Sequence, residues 1–239
     1  MREKRVSLTP RLDWAAEQLR GADTVADIGC DHGRLAIALI QRQCCARVIA
    51  ADISAPSLAK AARFVGFVGL SHAVELRLGD GLSAFVSGEC DAAAMLGMGG
   101  ILMTELLAAC ELPLNGAKRA VLQPMRGQAT LRRYLYENGY HITADRIVRE
   151  GRRYYQIITA EPPAGENIKK QPIPKGWPSD CFDLGFVSYM QGDPLLPELA
   201  QNLLTQYEKE LAGAKGTDRE AIVVKKASDM RVVCGIEEN

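Results

Sequence analysis

The stretch VADIGCDHGRLA, Val25 to Ala36, sets two acids, two glycines and a histidine at the end of an apolar run. Gly29 and Gly33 suit a backbone that turns sharply and approaches a ligand closely. Where a dinucleotide-binding turn has its central glycine, this chain has Asp31, next to Cys30 and His32. A carboxylate there would face a pyrophosphate at a helix N-terminus. A ligand that carries positive charge and no phosphate meets no such objection, and Asp27 and Asp31 would favour it. S-adenosylmethionine, with its sulfonium and α-ammonium, is such a ligand.

Two more acids stand where that cofactor needs them. Asp52 closes the next apolar run, 19 residues after Gly33 and just before Ile53, where a carboxylate can accept both ribose hydroxyls. Asp80 with Gly81, in LGDGL, can accept from an adenine amino group or can be a plain turn residue. On the reaction side, Gly97, Met98, Gly99 and Gly100 either let a flat substrate lie against bare backbone or simply turn the chain into a helix. The Asn/Asp-Pro-Pro-aromatic tetrad of many nucleic-acid amino-methyltransferases is missing here. Gln123, in LQPM, could hold a base by its amide or cap a loop, and a lone His32 is structural as often as catalytic. The candidate catalytic set is therefore Asp31, His32, Gly97, Met98, Gly99 and Gln123. The cofactor set is Asp27, Gly29, Cys30, Asp31, Gly33, Asp52, Ile53, Asp80, Gly81 and Gly97.

The elements that must position these residues follow from patterning. Short apolar runs at Val25–Ile28, Val48–Asp52, Val74–Leu78, Ala92–Leu96 and Ala120–Leu122 alternate with helical segments Gly33–Arg42, Pro56–Val65, Gly100–Ala109 and Gln128–Asn138. Apolar strands separated by helices imply an α/β fold with a parallel sheet clad on both faces. YHITADRIV and RRYYQIITA then read as a closing antiparallel hairpin, the layout of a Rossmann-like class I methyltransferase sheet. That hairpin, with Asp31, disfavours a nicotinamide dehydrogenase. The expected division is residues 1–160 as this domain, 161–193 as a proline-rich linker, and 194–239 as a small C-terminal helical hairpin. Its stripes are Leu196, Leu199, Leu203, Tyr207 and Leu211 on one helix, and Val223, Ala227, Met230 and Cys234 on the other, with Thr217 as a cap.

Composition narrows the partners. Of 239 residues, 47% are hydrophobic and 24% charged, and 29 basic residues balance 29 acidic ones. That is ordinary for a globular protein, so only the distribution of charge is informative. No run is long and apolar enough to span a bilayer, and seven cysteines without a CxxC pair argue against a zinc site or a disulfide framework. Basic residues concentrate in the N-terminal arm (Arg2, Lys4, Arg5, Arg11) and between Lys118 and Arg153, where Arg126, Arg132, Arg133, Arg152 and Arg153 lie among Tyr134, Tyr154 and Tyr155. Such clusters with aromatic neighbours lean toward RNA. The expectation is a cytoplasmic monomer with an RNA partner and neither metal nor membrane. A methyltransferase of the same fold acting on a small molecule or a protein remains open, as does a non-catalytic RNA-binding module.

The motifs taken together are selective. LTPRL (Leu8–Leu12), ADIGCDHGRLA, GDGL, LGMGG and LQPM occur in the order and spacing of the bacterial tRNA adenine-22 N1-methyltransferase family, which the chain resembles over nearly its whole length. The resemblance implies methyl transfer from S-adenosylmethionine to N1 of an adenine in the tRNA D-arm. It also implies a Rossmann-like domain followed by helices that take part in tRNA binding. By position, Asp27, Gly29, Asp31 and His32 fall in the cofactor motif, Asp80 and Gly81 near the cofactor adenine, and Gly97 to Gly100 with Gln123 at the target base. Met125 departs from the family's usual Asn after LQP.

Overall fold

The computed structural model describes residues 5–165 and 169–236, so Arg2 and Lys4 of the expected basic arm lie outside the described residues. A helix, α1 (Pro10–Gln18), precedes the sheet. The five apolar runs are parallel strands: β1 (Thr24–Ile28), β2 (Arg47–Asp52), β3 (Val74–Leu78), β4 (Ala92–Gly99) and β5 (Arg119–Arg126). Helices α2 (Arg34–Gln41), α3 (Ala55–Phe67), α4 (Gly100–Ala108) and α5 (Gln128–Glu137) follow four of them. The antiparallel pair β6 (His141–Glu150) and β7 (Arg153–Glu161) completes one sheet in the order β3-β2-β1-β4-β5-β7-β6.

Every residue of β1 is buried, as a central parallel strand with helices on both faces requires. Alternation along the strands divides the core in two. Ile28, Ile49, Met95 and Leu122 pack on one face, and Val25, Val48, Ala94 and Val121 on the other. Because β1 pairs with both β2 and β4, the chain leaves its neighbours in opposite directions there, and a crevice opens at their carboxyl ends.

Three features depart from the sequence pattern. Strands β4 and β5 run past their expected ends because Gly97, with φ of +82°, is absorbed in a bulge instead of ending the strand. Helix α1 was not signalled by its mixed polarity; it begins at a proline and buries Ala15 and Ala16. The third correction concerns residues 161–193, expected as a linker. Trp177, Cys181, Phe182, Leu184, Phe186 and Val187 of this segment are buried, and Phe186–Met190 form a short helix, α6. Each large apolar side chain removed from water contributes about 2–3 kcal/mol, which outweighs the extended bias of the prolines.

The C-terminal pair, α7 (Leu196–Ala214) and α8 (Glu220–Cys234), buries Leu196, Leu199, Tyr207, Val223, Ala227 and Met230 of the expected stripes. Leu203 and Leu211 are only partly buried, with Ala200 and Leu204 taking the inner positions. Thr217 shapes the turn, with its Oγ1 donating to the Ala214 carbonyl at 2.6 Å and accepting from the Arg219 N–H at 3.3 Å. One apolar cluster runs continuously from the sheet through Trp177 and Phe186 to Met230.

Candidate active site

The turn after β1 is held by its backbone. Gly29, Asp31 and Gly33 all have positive φ, of 72°, 48° and 69°. The Gly29 and Cys30 N–H groups donate to the Ala51 carbonyl at 2.8 and 3.0 Å, and the Asp31 N–H donates to Asp52 Oδ2 at 3.0 Å. A Cβ on Gly29 would sit 2.3 Å from Met98 Cε, the movable end of a side chain, so it is the positive φ that favours glycine there. Asp31 accepts a left-handed conformation that costs an ordinary residue about 1–2 kcal/mol. Its Oδ2 lies 2.7 Å from His32 Nδ1, both side chains being substantially exposed.

Asp27, the last acid inside β1, is only 4% exposed, and its Oδ2 has no hydrogen-bond partner. Burial is the main reason its carboxyl is pushed up to about 7. The Ala36 N–H opposes that shift and the charge of Asp52 adds to it. A cavity of about 390 Å³ opens beside it, with Arg11, Gly29, Asp31, His32, Gly97 and Met98 on its walls. A buried carboxyl oxygen left unpartnered beside a cavity suits a cationic or donor ligand. Burial also drives the Cys30 thiol far above its ordinary range, so Cys30 contributes backbone and bulk rather than a thiolate.

Asp52 ends β2 with Oδ1 accepting from Ser54 N at 2.8 Å, and Ile53 beside it is 71% exposed, a bare apolar surface at the strand tip. Asp80 is exposed at the tip of β3 and lines a different cavity of about 460 Å³ with Leu82, Ser83 and Leu106. Gly81 has φ of +53°, and a Cβ there would strike Leu106 Cδ2 at 2.2 Å. The acids thus share the carboxyl edge, but Asp27 and Asp31 line one cavity and Asp80 another. At the tip of β4, Gly100 packs on backbone, since a Cβ there would stand 2.2 Å from the Gly127 carbonyl oxygen. Gly97 is open, with nothing within 4 Å of an added Cβ.

Gln123 is differently placed from the reading that gave its amide to a base. It is 1% exposed and lines neither cavity. Its Oε1 accepts from Arg11 Nη1 at 2.6 Å, and its Nε2 donates to the Pro124 carbonyl at 3.0 Å. Sequence reasoning missed Arg11 as a wall of the cavity, although LTPRL was among the selective motifs.

Comparison with known proteins agrees with this geometry. The family described as methyltransferase domain matches residues 8–158. The chain belongs to that family. A curated relative, the tRNA (adenine(22)-N(1))-methyltransferase of Bacillus subtilis, is 33% identical over 156 residues, 65% of this chain and 66% of the relative. This alignment spans just under two thirds of the relative's length. Among solved structures, a NADB-Rossmann superfamily protein from Streptococcus agalactiae superposes with a TM-score of 0.84 at 26% identity, covering 97% of this chain and 99% of the other. M. capricolum TrmK, in complex with S-adenosylhomocysteine, superposes with a TM-score of 0.79 at 19% identity, covering 97% and 99%. The Rossmann-like methyltransferase fold expected from the alternating strands and helices and the closing hairpin is borne out.

The charged surface of this methyltransferase-family chain needs one clear correction. Arg132, expected to contact RNA, is fully buried. Its Nε and Nη2 donate to Asp145 at 2.7 and 2.8 Å, its Nη2 to Gln156 Oε1 at 2.7 Å, and its Nη1 to the Phe182 carbonyl at 3.2 Å. A guanidinium fork in the interior needs a carboxylate, and it staples α5 to β6, β7 and the segment before α6. Arg133 is exposed but pairs with Asp180 at 3.0 Å and lies 4.8 Å from the Phe182 ring. Arg5 is exposed beside a separate hollow with Gln41 and Gln43. Arg126, Arg152 and Arg153 are exposed, and among the described residues they have no ion pair. The tyrosines expected to stack on bases are engaged: Tyr155 lies under Arg11, Tyr154 donates to Glu198, and Tyr134 packs on Tyr140. Among the described residues, no cluster could hold a metal ion and no helix is long and apolar enough to cross a membrane.

Proposed function

We propose that the protein transfers a methyl group from S-adenosylmethionine to N1 of adenine 22 in the D-arm of tRNA, in the cytoplasm and as a monomer. The observation that carries this reading is the buried Asp27 carboxyl, its Oδ2 without a hydrogen-bond partner, beside the glycine-turn cavity, which suits a cationic cofactor better than a phosphate-bearing one. The relative at 33% identity supports the choice of RNA and of atom.

In this reading Asp27, Asp31 and Asp52 hold the cofactor, Gly29, Cys30 and Gly33 shape its turn, Ile53, Asp80 and Gly81 face its adenine, and Gly97 lies at its reactive end. Once bound, the cofactor supplies an electrophilic methyl on a cationic sulfur. Adenine N1 already carries a lone pair, so the protein's task is alignment, a large contribution from orientation alone. A paired adenine hides N1, so the nucleotide must leave its helix to reach the site. Gly97, Met98 and Gly99 form the flat wall it would meet. The ring gains positive charge as the bond forms, and Asp31, fixed by His32 at 2.7 Å, supplies the stabilising carboxylate. Gln123 acts from behind the wall. Arg126, Arg133, Arg152 and Arg153 offer cations to the phosphates, whereas Arg132 does not.

The deciding experiment incubates the protein with tRNA and isotopically labelled cofactor, followed by nucleoside mass spectrometry. Labelled 1-methyladenosine, mapped to position 22, is expected. Label in another nucleoside, in protein or in no product refutes the proposal.

A further inference from the structure

Arg11 stands out because five contacts fix it, among them Nη1 to Met125 Sδ at 3.9 Å, while part of its guanidinium is left unused. Its Nη1 donates to Gln123 Oε1 at 2.6 Å, and its backbone N–H donates to Glu150 Oε1 at 2.9 Å. The guanidinium lies 4.7 Å from the Tyr155 ring centre. Nε is buried without a hydrogen bond, its nearest carboxylate oxygen being Glu150 Oε2 at 3.5 Å. Among the described residues no hydrogen bond is found for Nη2. The side chain is 24% exposed and forms a wall of the same cavity as Asp27. Three elements, β5, β6 and β7, therefore spend side chains on holding one arginine at the cavity.

We propose that Arg11 reads an anionic group of the bound ligand, the α-carboxylate of S-adenosylmethionine, and that Gln123 is a positioning residue acting through Arg11. This inference rests on the cofactor assigned above and adds how its amino-acid end is read. A cavity with the unpartnered Asp27 Oδ2 on one side and an arginine with spare donors on another suits a group carrying an ammonium and a carboxylate on adjacent bonds. The other arginine on its walls, Arg34, is exposed and its Nη2 already donates to the Ser7 carbonyl at 2.9 Å. The guanidinium fork matches a carboxylate with two parallel N–H donors. A nucleotide phosphate presents similar chemistry. It is the less favoured source, because Arg11 is drawn back among Gln123, Tyr155 and the glycine turn, whereas Arg126, Arg152 and Arg153 stand in the open. The arrangement also accounts for a fully buried glutamine whose carbonyl oxygen faces only a guanidinium. An apolar residue at 123 would leave that donor unmet and the arginine free to swing.

The test is calorimetric titration with S-adenosylmethionine and with its decarboxylated analogue, which keeps the sulfonium and the amine but lacks the carboxylate. The wild-type protein should prefer the full cofactor by about 10- to 100-fold, the range for hydrogen bonds to a charged group. In Arg11→Ala the preference should fall to about 1, and Arg11→Lys should retain part of it. Gln123→Leu should reduce it, whereas Gln123→Glu, which keeps an acceptor, should restore it. The ratio of two affinities on one variant is insensitive to a general loss of folded protein, which unfolding curves check separately. Equal affinities in the wild type, or an unchanged preference in Arg11→Ala, overturns the inference and leaves the functional reading standing. In that case a weaker and less salt-dependent tRNA affinity in Arg11→Ala would assign the arginine to a phosphate. If the wild type binds neither ligand, the functional reading falls and this inference falls with it. A preference in Gln123→Leu equal to that of the wild type overturns the positioning role.

Discussion

The ionisation of Asp27 offers the sharpest test of the electrostatic argument. Its carboxyl is pushed from 3.8 up to about 7, first by burial and further by the charge of Asp52. Between those values the folded protein holds a proton that the unfolded chain has lost, so stability falls as pH rises through that window. A shift of about 3 units corresponds to about 4 kcal/mol lost in full above pH 7. Asp27→Asn removes that cost but places an amide donor where Oδ2 had no partner, at about 1–3 kcal/mol. The ligand-free variant should therefore exceed the wild type by about 1–3 kcal/mol at pH 8, with the advantage gone near pH 5. Urea unfolding at the two pH values measures it.

Binding adds a second readout. A cationic ligand end requires the ionised acid, so at pH 6, where about a tenth of Asp27 is charged, affinity should be about tenfold weaker than at pH 8. Binding at pH 7 should release about half a proton, measured by calorimetry in buffers of different ionisation heat. Asp31, His32, Asp52, Arg11 and Arg34 also face this region. The Asn variant is the control. If it keeps the wild-type pH slope, or if the wild type releases no proton, the reasoning fails.

Three other outcomes follow from the same structure. Arg132→Met should cost about 3–5 kcal/mol in a urea melt, because Asp145 is left buried and unpaired; Arg132→Met with Asp145→Leu should recover most of the loss. Asp31→Asn should lower turnover at saturating cofactor by about tenfold, about 1.4 kcal/mol of barrier, and unchanged turnover would remove Asp31 from the charge-stabilising role. Replacing Arg126, Arg152 and Arg153 together with glutamine should weaken tRNA binding in a gel shift. The logarithmic salt slope should become shallower by about 2–3, with cofactor affinity unchanged.

The parts of the fold that sequence made legible are those in which local pattern and tertiary role coincide. The short apolar runs at β1, β2, β4 and β5, bounded by turn residues and alternating with helical segments, read as buried strands, whereas β3, with Glu75 and Arg77, is only partly covered. The turn at Gly29 to Gly33 is favoured by its glycines. The misread parts are those in which a residue's usual punctuation is overridden by its neighbours. Gly97 read as the end of a strand, yet a bulge carries the pairing past it to Met98 and Gly99. Prolines made residues 161–193 read as solvated, but the aromatic and apolar groups Trp177, Phe182 and Phe186 supply enough burial to seat the segment. Arginines posed the hardest problem, since composition cannot tell a solvated guanidinium from Arg132 in the core or Arg11 in the cavity wall. Only the three-dimensional neighbours, Asp145 for one and Gln123 with Glu150 for the other, separate them.

The placement of the remaining cations then acquires meaning. In the α7–α8 hairpin, Arg219 pairs with Glu210, Lys225 with Asp229, Lys226 with Asp183 and Arg231 with Glu208. Arg149 is likewise engaged by Glu198 at the start of α7. A hairpin whose charges are largely matched projects little field, and its buried stripes make it a packing element continuous with the sheet core. Arg126, by contrast, ends β5, and Arg152 and Arg153 sit at the β6–β7 turn. Because β7 runs antiparallel to β5, both places lie at the carboxyl edge where the cavity opens. Among the described residues, these three exposed arginines without an ion pair thus stand on the edge that also carries Asp27, the glycine turn and Arg11, while Lys209 and Lys215 of the hairpin are exposed and unpaired as well. A polyanion held by Arg126, Arg152 and Arg153 would lie on the edge where that cavity opens, and the start of α7, where Glu198 meets Arg149 and Tyr154, borders the same edge.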